Sequence, residues 1–359
     1  MLGRIVLIYL LCFFNSSFHS WASYLACMSE WLPLIDVRTP AEYAHGHIPG
    51  AVNLPLFSNE ERVIVGTLYK KEGKDAAVLE GLRLVGPKMA SIVEEALRIA
   101  PEKKLRVHCW RGGMRSGSVA WLLRQVGFQV EVLSGGYKAY RNQVLRELEN
   151  PLSFILLGGP TGSGKTYVLH ALKELGEQVI DLEQLAHHKG SAFGALGEAP
   201  QPSIEQFENQ LHYQLKAMDP TRRIWLESES RKIGTVFIQN HIWLQMQQAP
   251  LVLMEVPLAD RLSFLVKEYG GFEKELLAAS ILRIGKHLGG QHVKEALEAL
   301  DAGDLETVAS ITLAYYDRSY TYAQSNRPEE NKFRIACPQL DPQKNAALLL
   351  HFIQEHPLK

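Results

Sequence analysis

Phe154-Ile155-Leu156-Leu157-Gly158-Gly159-Pro160-Thr161-Gly162-Ser163-Gly164-Lys165-Thr166 joins an apolar run to a glycine-rich turn. Phe154 to Leu157 reads as a strand and Tyr167 to Leu175 as a helix. Between them, Gly159 to Thr166 makes the full pattern G-x-x-x-x-G-K-T. In that setting backbone N–H groups converge on phosphate oxygens, Lys165 reaches a terminal phosphate, and the Thr166 hydroxyl holds Mg²⁺. Gly159, Thr161, Gly162, Ser163, Gly164, Lys165 and Thr166 are therefore the candidate phosphate- or diphosphate-binding residues. The metal-side acid is less direct. A usual nucleotide hydrolase has an apolar strand ending in Asp. Here Ile224-Trp225-Leu226 ends in Glu227, while Asp181 and Glu183 follow Val179-Ile180. Asp181 and Glu227 join Thr166 as candidate Mg²⁺ residues. The cradle recognises phosphates and does not require adenine.

Working downstream, strands are expected at 178–182, 223–227 and 250–256, and helix from about Arg261 to near the end. Working upstream, Arg141 to Glu149 reads as a polar helix stopped at Asn150-Pro151, a natural domain boundary because the residue before proline disfavours helix. Before it, Leu34 to Val37, Leu105 to His108 and Phe128 to Leu133 read as strands. Val119, Ala120, Leu122, Leu123 and Val126 recur with helical spacing. Alternation of this kind argues for an α/β fold with a parallel sheet in each half. The expected domains are 30–145 and 152–359, the second a P-loop domain with a helical C-terminal part.

The first half carries its own chemical signature, His108-Cys109-Trp110-Arg111-Gly112-Gly113-Met114-Arg115-Ser116, between a strand and a helix. Inward-pointing N–H groups, a helix N-terminus, Arg111 and Arg115 all favour thiolate over thiol. Cys109, Arg111 and Arg115 are the candidate catalytic residues. Cys109-x5-Arg115 matches both the cysteine phosphatase signature, where the arginine grips phosphate, and a rhodanese loop, where cysteine carries a terminal sulfur. Asp36-Val37-Arg38, followed by Gly46-His47-Ile48-Pro49-Gly50-Ala51-Val52-Asn53, resembles the N-terminal signature of rhodanese domains. Asp36 and Arg38 are read as stabilising the fold.

Composition sets limits. The chain has 359 residues, 46% of them hydrophobic, and a net charge of −1. That allows two cores and offers no global positive field for a nucleic acid. Cys12, Cys27, Cys109 and Cys337 show no metal-binding or disulfide spacing. Residues 1–29 have the outline of a signal peptide. They are also explained by an upstream start codon with Met28 as the functional start, which suits cytoplasmic chemistry, and no stable membrane association is expected.

With both motifs in view, the sequence over residues 30 to 355 resembles the bacterial tRNA 2-selenouridine synthases. Beyond the two loops the likeness rests on Val65-Gly66-Thr67-Leu68-Tyr69-Lys70, Gly135-Gly136-Tyr137-Lys138-Ala139-Tyr140-Arg141, Asp181-Leu182-Glu183, Gly190-Ser191-Ala192-Phe193-Gly194, Glu227-Ser228-Glu229-Ser230-Arg231-Lys232-Ile233-Gly234 and Leu288-Gly289-Gly290-Gln291. The resemblance implies a tRNA substrate with wobble 2-thiouridine, selenophosphate as selenium donor, and an S-geranyl intermediate made from geranyl diphosphate. It would place the diphosphate at Lys165 with Mg²⁺ on Thr166, and selenium handling at Cys109. For the RNA, Arg283, Lys286, His287, His292 and Lys294 form one candidate phosphate-binding face. Tyr315, Tyr316, Tyr320 and Tyr322 are candidate stacking residues, against the plainer readings of a solvated face and core aromatics.

Overall fold

The computed structural model describes residues 32–325, 327–356 and 358. The expectation for residues 1–29 lies outside them. The chain divides into two compact units after Tyr140.

In the first unit, four strands lie in the order β2-β1-β3-β4, all parallel: β1 (Leu34–Asp36), β2 (Val52–Asn53), β3 (Lys104–His108) and β4 (Gln129–Val132). Helix α1 (Pro40–His45) starts on a capping box. Thr39 accepts from the Glu42 N–H, and Glu42 accepts from the Thr39 N–H, which satisfies donors a helix start leaves free. Ser58 and Glu61 do the same for α2 (Asn59–Lys71). Next come α3 (Lys74–Val85), α4 (Met89–Ile99) and α5 (Met114–Gln125). The core joins Ile35, Val107, Leu105, Leu123 and Ile92, so the sheet is buried between helices as a parallel sheet must be.

Helix α6 (Gly136–Glu147) starts five residues before the expected Arg141, because Gly135 and Gly136 take positive φ and turn the chain into the helix at once. The division between the compact units falls inside α6. Arg141 donates to Asn209 at 3.1 Å and to Glu208, and His212 meets Glu147 at 2.6 Å. The end of the helix is thereby tied to the second unit's polar interior.

That unit is a five-stranded parallel sheet in the order β11-β10-β5-β7-β6. Its strands are β5 (Phe154–Gly158), β6 (Gln178–Ile180), β7 (Ile224–Glu227), β10 (Leu251–Glu255) and β11 (Lys332–Ala336). The pair β8 (Lys232–Ile233) and β9 (Val236–Phe237) forms a separate antiparallel hairpin. Helix α7 (Lys165–Glu174) packs on the sheet beside the last helix, α16 (Pro342–Glu355). Around them run α8 (Leu182–Ala186), α9 (Ile204–Lys216), α10 (Asn240–Gln248), α11 (Leu258–Tyr269), α12 (Lys274–Arg283), α13 (Gly285–Leu288), α14 (Gly290–Asp301) and α15 (Leu305–Ser325). The sequence after Arg261 is therefore helical with one exception. Lys332–Ala336 returns to the sheet and pairs with the whole of β10. Strand β5 is central, with later strands on both sides, so the loop after it lies at the switch point where ligands of such sheets bind.

Candidate functional site

Strand β3 ends at His108 and delivers Cys109 into a turn that closes at the start of α5. The Cys109 side chain is 4% exposed. Burial alone raises a thiol's pKa. Here hydrogen bonds from the Ser116 hydroxyl and from the backbone N–H groups of Ser116, Arg111 and Gly113 outweigh it, and the pKa lies below the ordinary value. Cys337 provides the contrast: buried without such donors and near Glu255, its thiol is pushed up to about 11.

Ser116 Oγ lies 3.2 Å from Cys109 Sγ and 3.1 Å from the Gly113 carbonyl. One hydroxyl has one proton. As a thiol, Cys109 can donate to Oγ while Oγ donates to Gly113; as a thiolate it receives the hydroxyl proton itself. Ser116 is thus a switchable partner of the sulfur. The motif reading passed over it, although it stands one position beyond Arg115.

The loop is braced from behind. Tyr137 N–H donates to the Cys109 carbonyl and Lys138 N–H to that of Trp110, both at 2.9 Å. A Cβ on Gly136 would stand 2.3 Å from the Cys109 carbonyl oxygen, so only glycine permits this approach. The block 135–138 is therefore the back wall of the cysteine loop.

The arginines divide. Arg115 donates to Glu42 at 2.6 and 3.2 Å, using the carboxylate that caps α1. Burial tends to raise the Glu42 pKa, and the bonds from Arg115 and the Thr39 N–H bring it below the usual range. Hydroxyl and backbone donors are thus what lower the Cys109 pKa against its burial. Arg111 lines the open cleft above Cys109. Asp36 and Arg38 are buried and paired, the closest contact being 2.6 Å. Arg38 also donates to the Gly46 carbonyl and lies 3.8 Å over the Tyr137 ring. Both belong to the scaffold that carries the loop, as the rhodanese-like signature suggested.

In the second unit the P-loop follows β5. Gly162 and Gly164 have φ of +81° and +71°, and a Cβ on Gly162 would meet the Arg261 carbonyl at 3.1 Å. Lys165 Nζ donates to the Gly159 carbonyl at 3.0 Å, and Ser163 Oγ is buried with no hydrogen-bond partner among the described residues. Thr166 Oγ1 donates to Glu183 at 3.1 Å. Burial and the neighbouring Glu229 raise the Glu183 pKa to about 8, opposed by Lys165. Glu229 is raised as well, by burial. A Cβ on Gly190 would lie 2.6 Å from Glu229 and 2.9 Å from Glu183, so the block 190–194 covers the pair.

The two acids first singled out stand further back. Asp181 caps α8 through the Gln184 N–H at 2.7 Å and meets His170 at 2.8 Å. Glu227 is fully buried and accepts from the Leu182 N–H at 2.9 Å. Burial, Asp181 and Glu183 hold its carboxyl well above the usual range. Glu183 is the acid in contact with Thr166. Among the aromatic candidates, Tyr316 accepts from the Ala192 N–H at 2.9 Å, and Tyr320 reaches the backbone at Gly158, so these two are packing residues. Tyr322 is 75% exposed. Arg283, Lys286, His287, His292 and Lys294 are all exposed.

A cysteine cradle on a rhodanese-like sheet, followed by a P-loop on a separate α/β sheet, defines a two-module enzyme class. A family model for the rhodanese-like domain matches residues 22–143, and one for the tRNA 2-selenouridine synthase AAA domain matches residues 152–339. A tRNA 2-selenouridine synthase from Sulfurovum sp. (strain NBC37-1) is 36% identical over 344 residues, covering 86% of this chain and 93% of its own. One from Cronobacter sakazakii is 40% identical over 358 residues, covering 88% and 93%. A crystal structure of an N-terminal domain from Clostridium difficile 630 is 44% identical and covers 33% of this chain, with a TM-score of 0.31. The chain belongs to the tRNA 2-selenouridine synthase family.

Proposed function

We propose that this protein is a cytoplasmic transferase that converts wobble 2-thiouridine of tRNA to 2-selenouridine in two steps. First, the thiocarbonyl sulfur attacks C1 of geranyl diphosphate, the C–O electron pair leaves with diphosphate, and the N3 proton of the base passes to water. Second, selenium from selenophosphate attacks C2 of the base. The C2–S bond then breaks toward geranylthiolate, and water takes the phosphorus as phosphate. The observation that carries this reading is the presence of a donor-ringed Cys109 with a lowered pKa and an intact phosphate cradle in a member of this family.

Within this reading Lys165, the N–H groups of 159–166 and the unpartnered Ser163 hydroxyl bind the diphosphate and stabilise the charge growing on it. Mg²⁺ fits beside them. Glu183 and Glu229 are half-buried acids with raised pKa values, which marks a site short of positive charge next to the Thr166 hydroxyl. Among the described residues no three or more His, Cys, Asp and Glu side chains converge as a metal cage. An ion that keeps water and phosphate ligands requires none. Thr166 would hold it, with Glu183 next to it and Asp181 and Glu227 behind. The ion would add positive charge at the leaving diphosphate. Cys109, with Arg111 at the cleft, handles selenium or the displaced thiol, and Arg115 holds the loop through Glu42. The exposed cations of 283–294 support a backbone contact to RNA. Among the described residues no helix is long and apolar enough to cross a membrane.

The test is nucleoside mass spectrometry after incubating 2-thiouridine tRNA with the protein, Mg²⁺, geranyl diphosphate and selenophosphate. Lys165→Ala should lose S-geranylation by about 10²–10³-fold, as expected for removing a donor to developing charge. Cys109→Ser should keep S-geranylation and lose selenation. Loss of both products in Cys109→Ser, with the fold intact, would refute the division of labour.

A further inference from the structure

The cleft above Cys109 is larger and more apolar than a small anionic selenium donor needs. Its volume is about 940 Å³. Cys109, Trp110 and Met114 line it together with residues of α2 and α3. Helix α2 buries none of its residues, and α3 buries only Ala77 and Gly81. Val63, Tyr69, Leu82 and Met114 line this space at 57% exposure or more, and Trp110 at 37%. A helix normally hides its apolar stripe, and a concentrated exposed apolar patch marks a binding surface. A selenophosphate-like polyanion is served by loop donors and by Arg111, and an apolar wall does nothing for it. Because the reacting sulfur shares the same space, the occupant is a reactant and not a protein lid. Arg62, Lys70 and Arg111 add positive charge beside the apolar wall, which suits an apolar group carried on a polyanion.

We propose that this cleft seats the hydrocarbon group of the S-alkylated thionucleoside while selenium replaces sulfur at C2. The assignment rests on the two-step reading above and deepens it. The apolar occupant is the chain on the leaving sulfur. The C2–S pair departs with sulfur, the alkylthiolate takes a proton from water, and selenium remains on C2 while its phosphorus passes to water as phosphate. The cleft then sets specificity for the size of the leaving group.

Two synthetic anticodon stem-loop RNAs, one with S-geranyl-2-thiouridine and one with S-methyl-2-thiouridine, provide the test on the full chain. Binding is measured first, then single-turnover selenation with selenophosphate. Leu82→Gln and Val63→Gln change exposed positions, so folding is preserved. Each should raise the Kd and KM for the geranyl RNA by about tenfold, the scale set by losing one or two methylene contacts in an apolar pocket. Affinity for the methyl RNA should hardly move. Leu79→Gln, exposed on α3 outside the cleft lining, serves as the control. Equal losses on both RNAs, or no loss on either, overturn the assignment. Wild-type protein that prefers the geranyl RNA in binding yet never selenates it would refute the two-step reading and leave the cleft standing.

Discussion

Ser116→Ala isolates one of the donors that lower the Cys109 pKa. The hydroxyl reaches Sγ at 3.2 Å, at a cysteine that is 4% exposed, where water is a poor replacement. A hydrogen bond to a charged group contributes about 1.5–3 kcal/mol. One pKa unit corresponds to about 1.4 kcal/mol, so the thiol pKa should rise by about 1–2 units. The backbone donors of Arg111, Gly113 and Ser116 remain, so the rise is partial. The substitution is structurally mild, because the Gly113 carbonyl still accepts from the Gly117 N–H at 2.9 Å. The assay is the pH profile of iodoacetamide alkylation, read by peptide-resolved mass spectrometry so that Cys12, Cys27 and Cys337 do not contribute. Ser116→Thr should restore the wild-type profile. A Ser116→Ala profile that stays in place, or moves to lower pH in folded protein, would refute the account of the thiolate and return the burden to the arginines.

Gly136→Ala drives a Cβ to 2.3 Å from the Cys109 carbonyl at a φ of +57°. The first unit should lose about 2–5 kcal/mol from overpacking and left-handed strain, whereas Gly117→Ala, with open space around it inside α5, should gain about 0.5–1 kcal/mol; denaturant unfolding checks both. Arg38→Met leaves Asp36 buried and uncompensated and should cost about 3–5 kcal/mol in the same measurement. Glu183 has a folded pKa raised to about 8, so the stability tied to its protonated form is present below the unfolded value of 4.5 and lost as pH rises through the folded one. Glu183→Gln cannot ionise, so its stability relative to wild type should grow between about pH 4.5 and 8 and level off above that; thermal melts across that window would show a flat difference if the folded pKa were not raised.

Local pattern was enough for much of this protein. The strand-loop-helix reading of Phe154 to Leu175 held because each part is decided by neighbours in sequence: an apolar run, two glycines that must take positive φ, and a helix that starts at Lys165. Cys109 and its rhodanese-like context were legible for the same reason. What sequence left open depends on residues brought together from far apart. Strand β11 looks like part of a helical tail until β10 offers it a complete set of backbone partners. Glu183, not Asp181 or Glu227, meets Thr166 because helix α8 turns at Asp181 and spends that carboxylate on its own cap. Arg115 looks like a thiolate partner until α1 presents Glu42 to it. Sequence by itself determined which chemical groups the chain carries and the class of fold that holds them. Tertiary structure decided which of those groups meet, because burial and long-range hydrogen bonds, which no local spacing records, set the charge and direction of each side chain.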